Sequence, residues 1–275
     1  MTNTILLGED ALYPDQYDAS LLNPLKRREG RSQWLEQGTP LPFVGHDRWT
    51  AYELSWLDKR GKPCVAMAEF VVPADSECII ESKSFKYYLN SLNQTVFDSK
   101  SMLVQTLSRD LSYVAGANVE VQLISLADVE GRLAIANLDG VCIDSLPVDI
   151  EHYRPEPALL ECDPSRHVEG IQLVSHLLKS NCPVTGQPDW ASVQVSYSGG
   201  EISAESLLKY IISYRQHQGY HENCVERIFM DIWQRCSPDT LYVYARYTRR
   251  GGLDINPFRA SCQGQDVPQA RVLRQ

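Results

Sequence analysis

The sequence lacks several features that would place it in common functional classes. No window holds 18 or more consecutive apolar residues, and the first ten residues have neither a basic flank nor an apolar run. A membrane-spanning helix needs about 20 apolar residues, and a secretory signal peptide needs both of those features at the start. We therefore expect a cytoplasmic protein without a membrane segment.

Paired cysteine motifs are also absent. The eight cysteines are scattered with no Cys-x-x-Cys pair, which predicts reduced thiols and argues against a disulfide scaffold or a zinc ribbon. His221 and Cys224 are one helical turn apart, but two ligands make an incomplete metal site, so no metal is expected. A Gly-x-Gly-x-x-Gly motif is missing as well, and the usual dinucleotide-binding fold is therefore not indicated.

The sequence also lacks an excess of positive charge. The net charge of -9 and the pI near 5.2 argue against a surface that binds nucleic-acid phosphates. What is present is an ordinary composition, 43% hydrophobic and 22% charged over 275 residues. It predicts one large domain or two modest ones, with a real core.

The two halves of the chain share a pattern. The segments 81–97 and 204–220 align without gaps at an offset of 123, which matches Lys86 with Lys209. In each half a strand-like run precedes the segment, and a second helical pattern and another strand follow it. Two related modules in one chain are therefore indicated.

Periodicity places the individual elements. The second half is predicted to have strands at 172–178 and 192–197, a turn at 198–200, helices from about 203 and after 219, a strand at 240–247 and a last strand. The first half is predicted to have strands at 52–57 and 65–72, helices at 85–92 and 102–111, and a strand at 119–126. These patterns indicate an α+β fold with an extension at 1–50, a first module at 51–150 and a second at 151–275.

A thiol and a carboxylate lie on one short loop of the second half. Pro183 pushes Cys182 toward an extended conformation, and Gly186 and Pro188 supply bends that would bring Asp189 back toward the sulfur. A cysteine in this setting is either a small apolar filler or a nucleophile. As a nucleophile, Cys182 would have Asp189 as its proton donor.

A second candidate site lies where the last predicted helix begins. The carboxylate of Glu222 presents two acceptors in a plane, which matches the paired N–H donors of a guanine or pterin edge. His221 beside it would donate to a ring carbonyl or move a proton. The alternative is that Glu222 is only a first-turn acid that suits the helix dipole.

Two basic segments are candidate phosphate sites. The segment 80–88 places Lys83, Lys86 and two serines at a helix start. The segment Arg249–Gly252 puts two arginines before paired glycines, just after a strand. A solvated helix start and a basic turn explain the same residues.

Three of these segments together resemble a known family, the NADPH-dependent 7-cyano-7-deazaguanine reductases of queuosine biosynthesis, in their long two-module form. The sequence Glu-Ser-Lys-Ser-Phe-Lys-Tyr-Tyr at 81–88 looks like the motif that distinguishes this family. The sequence Cys-Pro-Val-Thr-Gly-Gln-Pro-Asp at 182–189 looks like its catalytic loop, and His221-Glu222 looks like its substrate anchor. The resemblance covers nearly the whole chain, including the early run at 17–22.

The resemblance implies a tunnelling fold, in which modules of two strands, two helices and two strands form a barrel-like sheet, and a homodimer with active sites between modules. It implies reduction of 7-cyano-7-deazaguanine to 7-aminomethyl-7-deazaguanine, a step toward a modified tRNA base, with two molecules of NADPH and a thioimide intermediate. The implied residues are Cys182 and Asp189 for catalysis, Ile80, Glu81, Ser82, His221 and Glu222 for the substrate, and Ser82, Lys83, Arg250 and Gly251 for the cofactor.

Two other functions stay open from the sequence. A cyclohydrolase-like or pterin-synthase-like enzyme would share the Glu222 anchor and use zinc, although the sequence offers no third ligand beside His221 and Cys224. A non-catalytic purine-binding module would keep Cys182 as a structural residue. Zinc analysis tests the first alternative, and binding without a covalent adduct would support the second.

Overall fold

The computed structural model describes residues 13–36, 38–127, 134–264, 267 and 270–275. Its α-helices are α1 (Arg27–Arg31), α2 (Ser82–Ser91), α3 (Lys100–Ala115), α4 (Ala204–Ser213) and α5 (His221–Cys236), with short 3-10 turns at Ala19–Leu21, Pro157–Leu159 and Tyr214–Gln216. Its strands are β1 (Pro24–Lys26), β2 (Val44–Leu57), β3 (Pro63–Pro73), β4 (Cys78–Ile80), β5 (Glu120–Ile124), β6 (Val141–Cys142), β7 (Cys162–Asn181), β8 (Pro188–Ile202), β9 (Thr240–Tyr247) and β10 (Leu253–Ala260). None of the described helices is long and apolar enough to cross a membrane.

Within these ranges, eight strands form one sheet in the order β5-β3-β2-β10-β9-β8-β7-β6. Neighbouring strands are antiparallel, except that β6 pairs in parallel with β7. The pairing of β10 with β2, from Leu253 opposite Ala51 to Ala260 opposite Val44, joins the two halves of the chain into this sheet. β1 and β4 form a separate two-stranded ribbon.

Two hydrophobic cores hold the helix pairs in place. Phe85 of α2 and Leu103 of α3 are fully buried in one core, and Leu207 of α4 and Phe229 of α5 are fully buried in the other. Burying a side chain of this size contributes about 1.5–3 kcal/mol. The apolar stripes that predicted these helices are thus the surfaces that stabilise them.

The predicted order strand, strand, helix, helix, strand is confirmed in both halves by β2, β3, α2, α3 and β5 and by β7, β8, α4, α5 and β9. The least certain strand of the second half is also present, as β10. The predicted start of a helix near residue 203 is confirmed. Ser203 is the N-cap of α4, and its hydroxyl accepts the N–H of Ser206 at 3.2 Å.

The fourth strand implied for the first half differs from the structure. In the described residues the next strand is β6, which has two residues and lies beside Leu173 and Val174 of β7, at the opposite end of the sheet from β5. Gly140 allows this approach: its φ is +126° and a Cβ there would meet the Gln172 carbonyl oxygen at 2.7 Å. The segment therefore crosses to the second half instead of completing the first.

The turn predicted at 198–200 is wrong, because β8 continues through it to Ile202. Gly199 and Gly200 face Val168 and His167 in the ladder with β7. A Cβ on Gly199 would lie 3.0 Å from Pro238, and one on Gly200 would lie 2.8 Å from the Cys162 sulfur. These glycines permit close packing inside a strand rather than a reversal of the chain.

The predicted start of the first module at residue 51 falls inside β2, which begins at Val44. The first residues of this strand include charged side chains, so they do not show the apolar alternation that predicts a strand. Asp47 is nevertheless only 1% exposed, because Arg27 and Arg259 pair with it. The predicted boundary near residue 150 lies between β6 and β7, outside both strands.

Candidate active site

The loop between β7 and β8 presents the predicted nucleophile. The N–H of Cys182 donates to the Gln187 carbonyl and the N–H of Gly186 donates to the Cys182 carbonyl, both at 2.9 Å. Gly186 has a φ of +71°, a conformation that favours glycine. The loop is therefore closed on itself, and it leaves Cys182 partly exposed to solvent rather than buried as a core filler.

The surroundings of Cys182 favour its thiolate. Burial raises the pKa of the thiol, but hydrogen bonds from the Thr185 hydroxyl, the N–H groups of Thr185 and Val184, and the Arg250 side chain lower it, and the net pKa is below the usual 9.0. A thiolate, not a thiol, is the nucleophilic form of cysteine. The geometry thus suits covalent chemistry at this sulfur.

Asp189 lies at the start of β8 and is only 3% exposed. Its Oδ1 accepts a hydrogen bond from Arg250 Nη1 at 2.6 Å. Burial raises the pKa of the carboxyl above its usual 3.8, against the opposing charges of Arg250, Lys86 and Lys179. A raised pKa is what a proton carrier needs near neutral pH.

Arg250 connects the two candidate chemical groups. Its Nη1 donates to Asp189 Oδ1 at 2.6 Å, and its side chain is close enough to Cys182 to lower the pKa of that thiol. The sequence left open whether Cys182 and Asp189 face each other, and Arg250 is a neighbour that both share. The predicted role of Arg250 was a cofactor contact, and the structure adds this second set of contacts.

His221 and Glu222 form the first turn of α5, next to the same groups. His221 Nε2 lies 3.8 Å from Asp189 Oδ1, and its ring packs edge-on against Tyr247 with centroids 3.9 Å apart. Burial and the nearby cations Arg250 and Lys86 lower the pKa of His221 to about 3. The imidazole is therefore neutral at physiological pH and has one N–H donor and one acceptor.

Glu222 is nearly inaccessible, with 1% of its surface exposed. Burial and the neighbouring carboxylate of Asp47 raise its pKa to about 8, against the favourable charges of Arg27 and Arg259. A surface acid that merely suits a helix dipole would keep an ordinary pKa. This difference favours the recognition role over the first-turn alternative.

The carboxylate of Glu81 is hydrogen-bonded to the backbone of α2. It is the N-cap of α2, and its carboxylate accepts the N–H groups of Lys83 at 2.9 Å and Ser84 at 2.7 Å. Ile80, just before it, is 3% exposed with its side chain in the first core. Of the predicted substrate contacts in this segment, Ile80 is therefore able to offer only its backbone.

A small cavity joins the two halves of the chain at this point. Its lining includes Ser82 and Lys86 of α2, His221 of α5, and Arg250 before β10. Lys83 is not among the lining residues, and its ammonium lies 5.9 Å from the centre of the Tyr87 ring. The structure thus brings together Ser82 and Arg250 of the predicted cofactor residues, while Lys83 is not among the residues that line the cavity.

Lys86, which the sequence analysis placed in a candidate phosphate segment but not among the cofactor or substrate residues, is a residue of this site. Its pKa is lowered by burial and by Arg250, against the charges of Glu81, Asp189 and Cys182, so its ammonium sits among the candidate groups. Gly251 packs on it: a Cβ at Gly251, whose φ is +55°, would lie 3.2 Å from Lys86 Cδ. The available signal was its spacing of four residues from Ser82, which puts both on one face of a helix.

Among the described residues, His221 and Cys224 do not belong to a group of three potential metal ligands that lie close together. Cys224 is fully buried, and burial raises the pKa of its thiol to about 12. A different trio, Cys142, Asp144 and His176, has ligand atoms within 4.8 Å of one another, on and beside β6 and β7. Both Asp144 oxygens already accept hydrogen bonds, from the Ser175 hydroxyl and the His176 N–H.

Comparison with known proteins identifies the family. The chain matches the family described as "Nitrile reductase, 7-cyano-7-deazaguanine-reductase N-term" over residues 13–123 and "QueF-like protein" over residues 188–266. Proteins named NADPH-dependent 7-cyano-7-deazaguanine reductase are similar over nearly their whole length. The one from Bordetella pertussis is 55% identical over 269 residues, 98% of this chain and 97% of that protein. The chain belongs to this reductase family.

Other relatives in the reductase family agree. The protein of that name from Cupriavidus necator is 54% identical over 256 residues, 93% of this chain and 92% of that protein, and the one from Burkholderia multivorans is 54% identical over 269 residues, 98% and 97%. A solved structure titled archaeosine synthase QueF-Like in the apo form covers 37% of this chain and 100% of that chain, at 19% identity and a TM-score of 0.33. That likeness is too low to bear on the fold.

The family matches divide the candidate residues between the two halves. The first match contains Ile80, Glu81, Ser82 and Lys83, and the second contains Asp189, His221, Glu222, Arg250 and Gly251. Cys182 lies in the segment between them. The family predicted from the three sequence motifs is confirmed by these relatives.

Proposed function

We propose that the chain, an NADPH-dependent reductase of this family, converts the nitrile of 7-cyano-7-deazaguanine to the primary amine through a covalent thioimide at Cys182. The observation that carries this assignment is the position of Arg250, which donates to Asp189 Oδ1 at 2.6 Å and lies close enough to Cys182 to favour its thiolate. A cation between a thiolate and a carboxylate holds the nucleophile and the proton carrier together. The zinc-dependent and non-catalytic alternatives have no comparable support.

In the first step the Cys182 thiolate attacks the nitrile carbon, and the C–S bond forms as the nitrile nitrogen gains negative charge. Asp189 first takes the thiol proton and then gives it to that nitrogen, so the thioimide is formed without net loss or gain of protons. Its raised pKa makes this return possible. General acid–base catalysis of this kind contributes roughly 10²–10⁴-fold to a rate.

Substrate recognition falls to Glu222, Glu81 and His221. The substrate N–H donors favour the ionised form of Glu222, and its carboxylate then accepts both of them from the deazaguanine edge, a strong type of hydrogen bond. The neutral imidazole of His221 has an N–H for a ring acceptor. Glu81 can keep its two backbone partners, because each carboxylate oxygen has a second lone pair for a substrate N–H.

NADPH supplies the hydrides, two in succession. Ser82, Lys83, Arg250 and Gly251 are the residues assigned to hold it, and the cationic groups at the cavity edge fit an anionic dinucleotide. Lys86 adds a further cation there. A cavity that excludes water would protect the imine that forms between the two reductions from hydrolysis.

The proposed architecture is two tandem tunnelling-fold modules, with module boundaries revised to about residues 44 and 162. An open sheet has two free edges, which a second copy of the chain can cover. We assign the protein as a cytoplasmic homodimer that acts on the free deazapurine and binds neither nucleic acid nor membrane. Sedimentation of the purified protein tests the dimer.

The direct test of function is a stoichiometric assay. The purified protein, given excess NADPH and limiting 7-cyano-7-deazaguanine, should consume two NADPH per nitrile and release the amine. A folded protein that oxidises no NADPH would refute the assignment. Zinc near one per chain, lost from the Cys142→Ser variant, would instead place a metal at the trio on β6 and β7 and leave the reductase assignment unaffected.

A further inference from the structure

A cluster of buried charges lies directly beneath the substrate anchor. Its members come from four elements: Arg27 and Arg31 of α1, Asp47 of β2, Glu226 of α5 and Arg259 of β10. Each is at most 9% exposed. The chemistry proposed above uses none of these residues. Removing a charged side chain from water costs several kcal/mol, so the cluster calls for an explanation.

Glu226 is the centre of this cluster. Its Oε1 accepts hydrogen bonds from Arg31 Nη2 at 2.7 Å and Arg259 Nη2 at 2.8 Å, and its Oε2 accepts one from Arg31 Nε at 2.9 Å. Arg31 thus forms a two-pronged contact from α1 to α5, which fixes direction as well as distance. Glu226 follows Glu222 by four residues, so both lie on one face of α5.

The charges in the cluster do not balance without Glu222. The three arginines contribute three positive charges, while Asp47 and Glu226 contribute two negative ones. Asp47 pairs with Arg27 at 2.5 Å and with Arg259 at 2.8 Å. Burial and Asp47 hold the pKa of Glu222 at about 8, so the third negative charge, which would make the formal total zero, is present only when Glu222 ionises.

The packing of α1 against α5 is as close as a glycine allows. A Cβ built on Gly30 would lie 2.2 Å from the side-chain nitrogen of Asn223, the residue after Glu222. Gly30 has no positive φ, so the backbone itself would accept alanine. The glycine therefore serves contact between the N-terminal segment and the first turn of α5.

We propose that α1 is a positioning element for the substrate anchor: Arg31 and Gly30 lock the first turn of α5, and the buried arginines balance the charge of the Glu222 carboxylate when it binds the deazapurine N–H donors. This inference rests on the proposed role of Glu222. Arg31 and Gly30 touch neither substrate nor reacting atoms, and they act through α5.

Several groups face Glu222 and set its protonation. Asp47 on β2 raises its pKa, Arg27 on α1 and Arg259 on β10 lower it, and its own backbone N–H on α5 also lowers it. Tyr220 and Cys224 lie beside it, and its charge raises the pKa of both. Arg31 acts on Glu222 through Glu226, whose negative charge it neutralises four residues along α5, so removing Arg31 leaves more negative charge near Glu222 and makes it harder to ionise.

The test compares Arg31→Gln and Gly30→Ala with Arg28→Gln, a matched control because Arg28 is an exposed arginine of the same helix. Nitrile binding is measured by calorimetry in the Cys182→Ala background, and turnover is measured with intact Cys182. We expect Arg31→Gln to bind the nitrile about tenfold more weakly, with saturated turnover within threefold of the parent. The control should bind as the parent does.

The pH profile separates positioning from a merely structural role. In Arg31→Gln the midpoint below which nitrile binding weakens should move to higher pH, whereas loss of fold would lower binding at every pH alike. Equal affinity in Arg31→Gln, or an unmoved midpoint, would overturn the charge-balance part. If Arg31→Gln does not fold, Gly30→Ala keeps every charge, and unchanged nitrile affinity there would overturn the positioning part. Failure of the parent protein to bind nitrile would instead contradict the proposed function.

Discussion

Replacing Glu222 by glutamine should stabilise the protein at alkaline pH while weakening its binding of substrate. The folded protein raises the pKa of this carboxyl from 4.5 to about 8 through burial and Asp47. Because the folded state binds the proton more tightly than the unfolded chain, the stability of the wild type falls as pH rises from about 4.5 to about 8. The Glu222→Gln variant has no such loss.

The magnitude follows from the size of the shift. A difference of about 3.5 pKa units corresponds to at most about 5 kcal/mol above pH 8, and relaxation around the buried charge reduces this to about 2–5 kcal/mol. For a chain of this size, that is a rise in Tm of roughly 5–15 °C. Near pH 5 the two proteins should melt within about 2–3 °C of each other, since Glu222 is protonated in the folded wild type.

The assay is thermal unfolding followed by circular dichroism from pH 5 to pH 9. Titrating groups away from this cluster are the same in both proteins and cancel in the difference, so its pH dependence reports Glu222 together with Asp47, whose titration is linked to it. Glu205→Gln is the control, because Glu205 is also a first-turn acid but is exposed. A Tm difference that stays constant with pH, or a variant less stable than wild type at pH 9, would refute the reasoning. Nitrile affinity of Glu222→Gln should fall about 10–100-fold.

Three further predictions concern the other parts of the molecule. Arg250→Ala removes a cation and hydrogen-bond donor from Cys182, so the pH midpoint for alkylation of Cys182 by iodoacetamide should rise by about 1 unit. Asp189→Asn should slow adduct formation at least about 100-fold in stopped-flow measurements, because the proton carrier is gone. Ser203→Ala removes the cap of α4 and should lower the Tm by about 2–4 °C, without changing the rate of NADPH oxidation.

Each of these has a result that would contradict it. An unchanged alkylation midpoint in Arg250→Ala would mean that the guanidinium does not stabilise the thiolate. Adduct formation at the wild-type rate in Asp189→Asn would assign the proton transfer to another group. Loss of activity in folded Ser203→Ala would show that α4 does more than support the core.

The periodic elements could be predicted because their signals are local. The stripe that includes Leu207 and Ile211 gave α4, and the alternation around Val193 and Val195 gave the middle of β8. The sequence analysis ended β8 too early because paired glycines after a strand usually mark a turn. The close approach of Pro238 explains why Gly199 lies within this strand. Close packing between distant segments leaves no periodic trace in a sequence.

The site residues divide in the same way. Cys182 and Asp189 are seven residues apart, so the sequence could place them near one another in the chain, but it left open whether they face each other. The contact of Arg250 with Asp189 spans 61 residues, and it depends on how the β9–β10 connection meets the loop. The arginines of α1 looked like ordinary surface charge, and their burial against Glu226, 195 residues away for Arg31, is purely tertiary.

The most direct measurement is the intact mass of the protein after incubation with 7-cyano-7-deazaguanine in the absence of NADPH. We expect a gain of one nitrile mass per chain, located by peptide mapping to Cys182, absent from Cys182→Ala and reversed when NADPH is added. An unmodified wild-type protein that nevertheless reduces the nitrile, or an adduct that persists in Cys182→Ala, would contradict covalent catalysis at this sulfur.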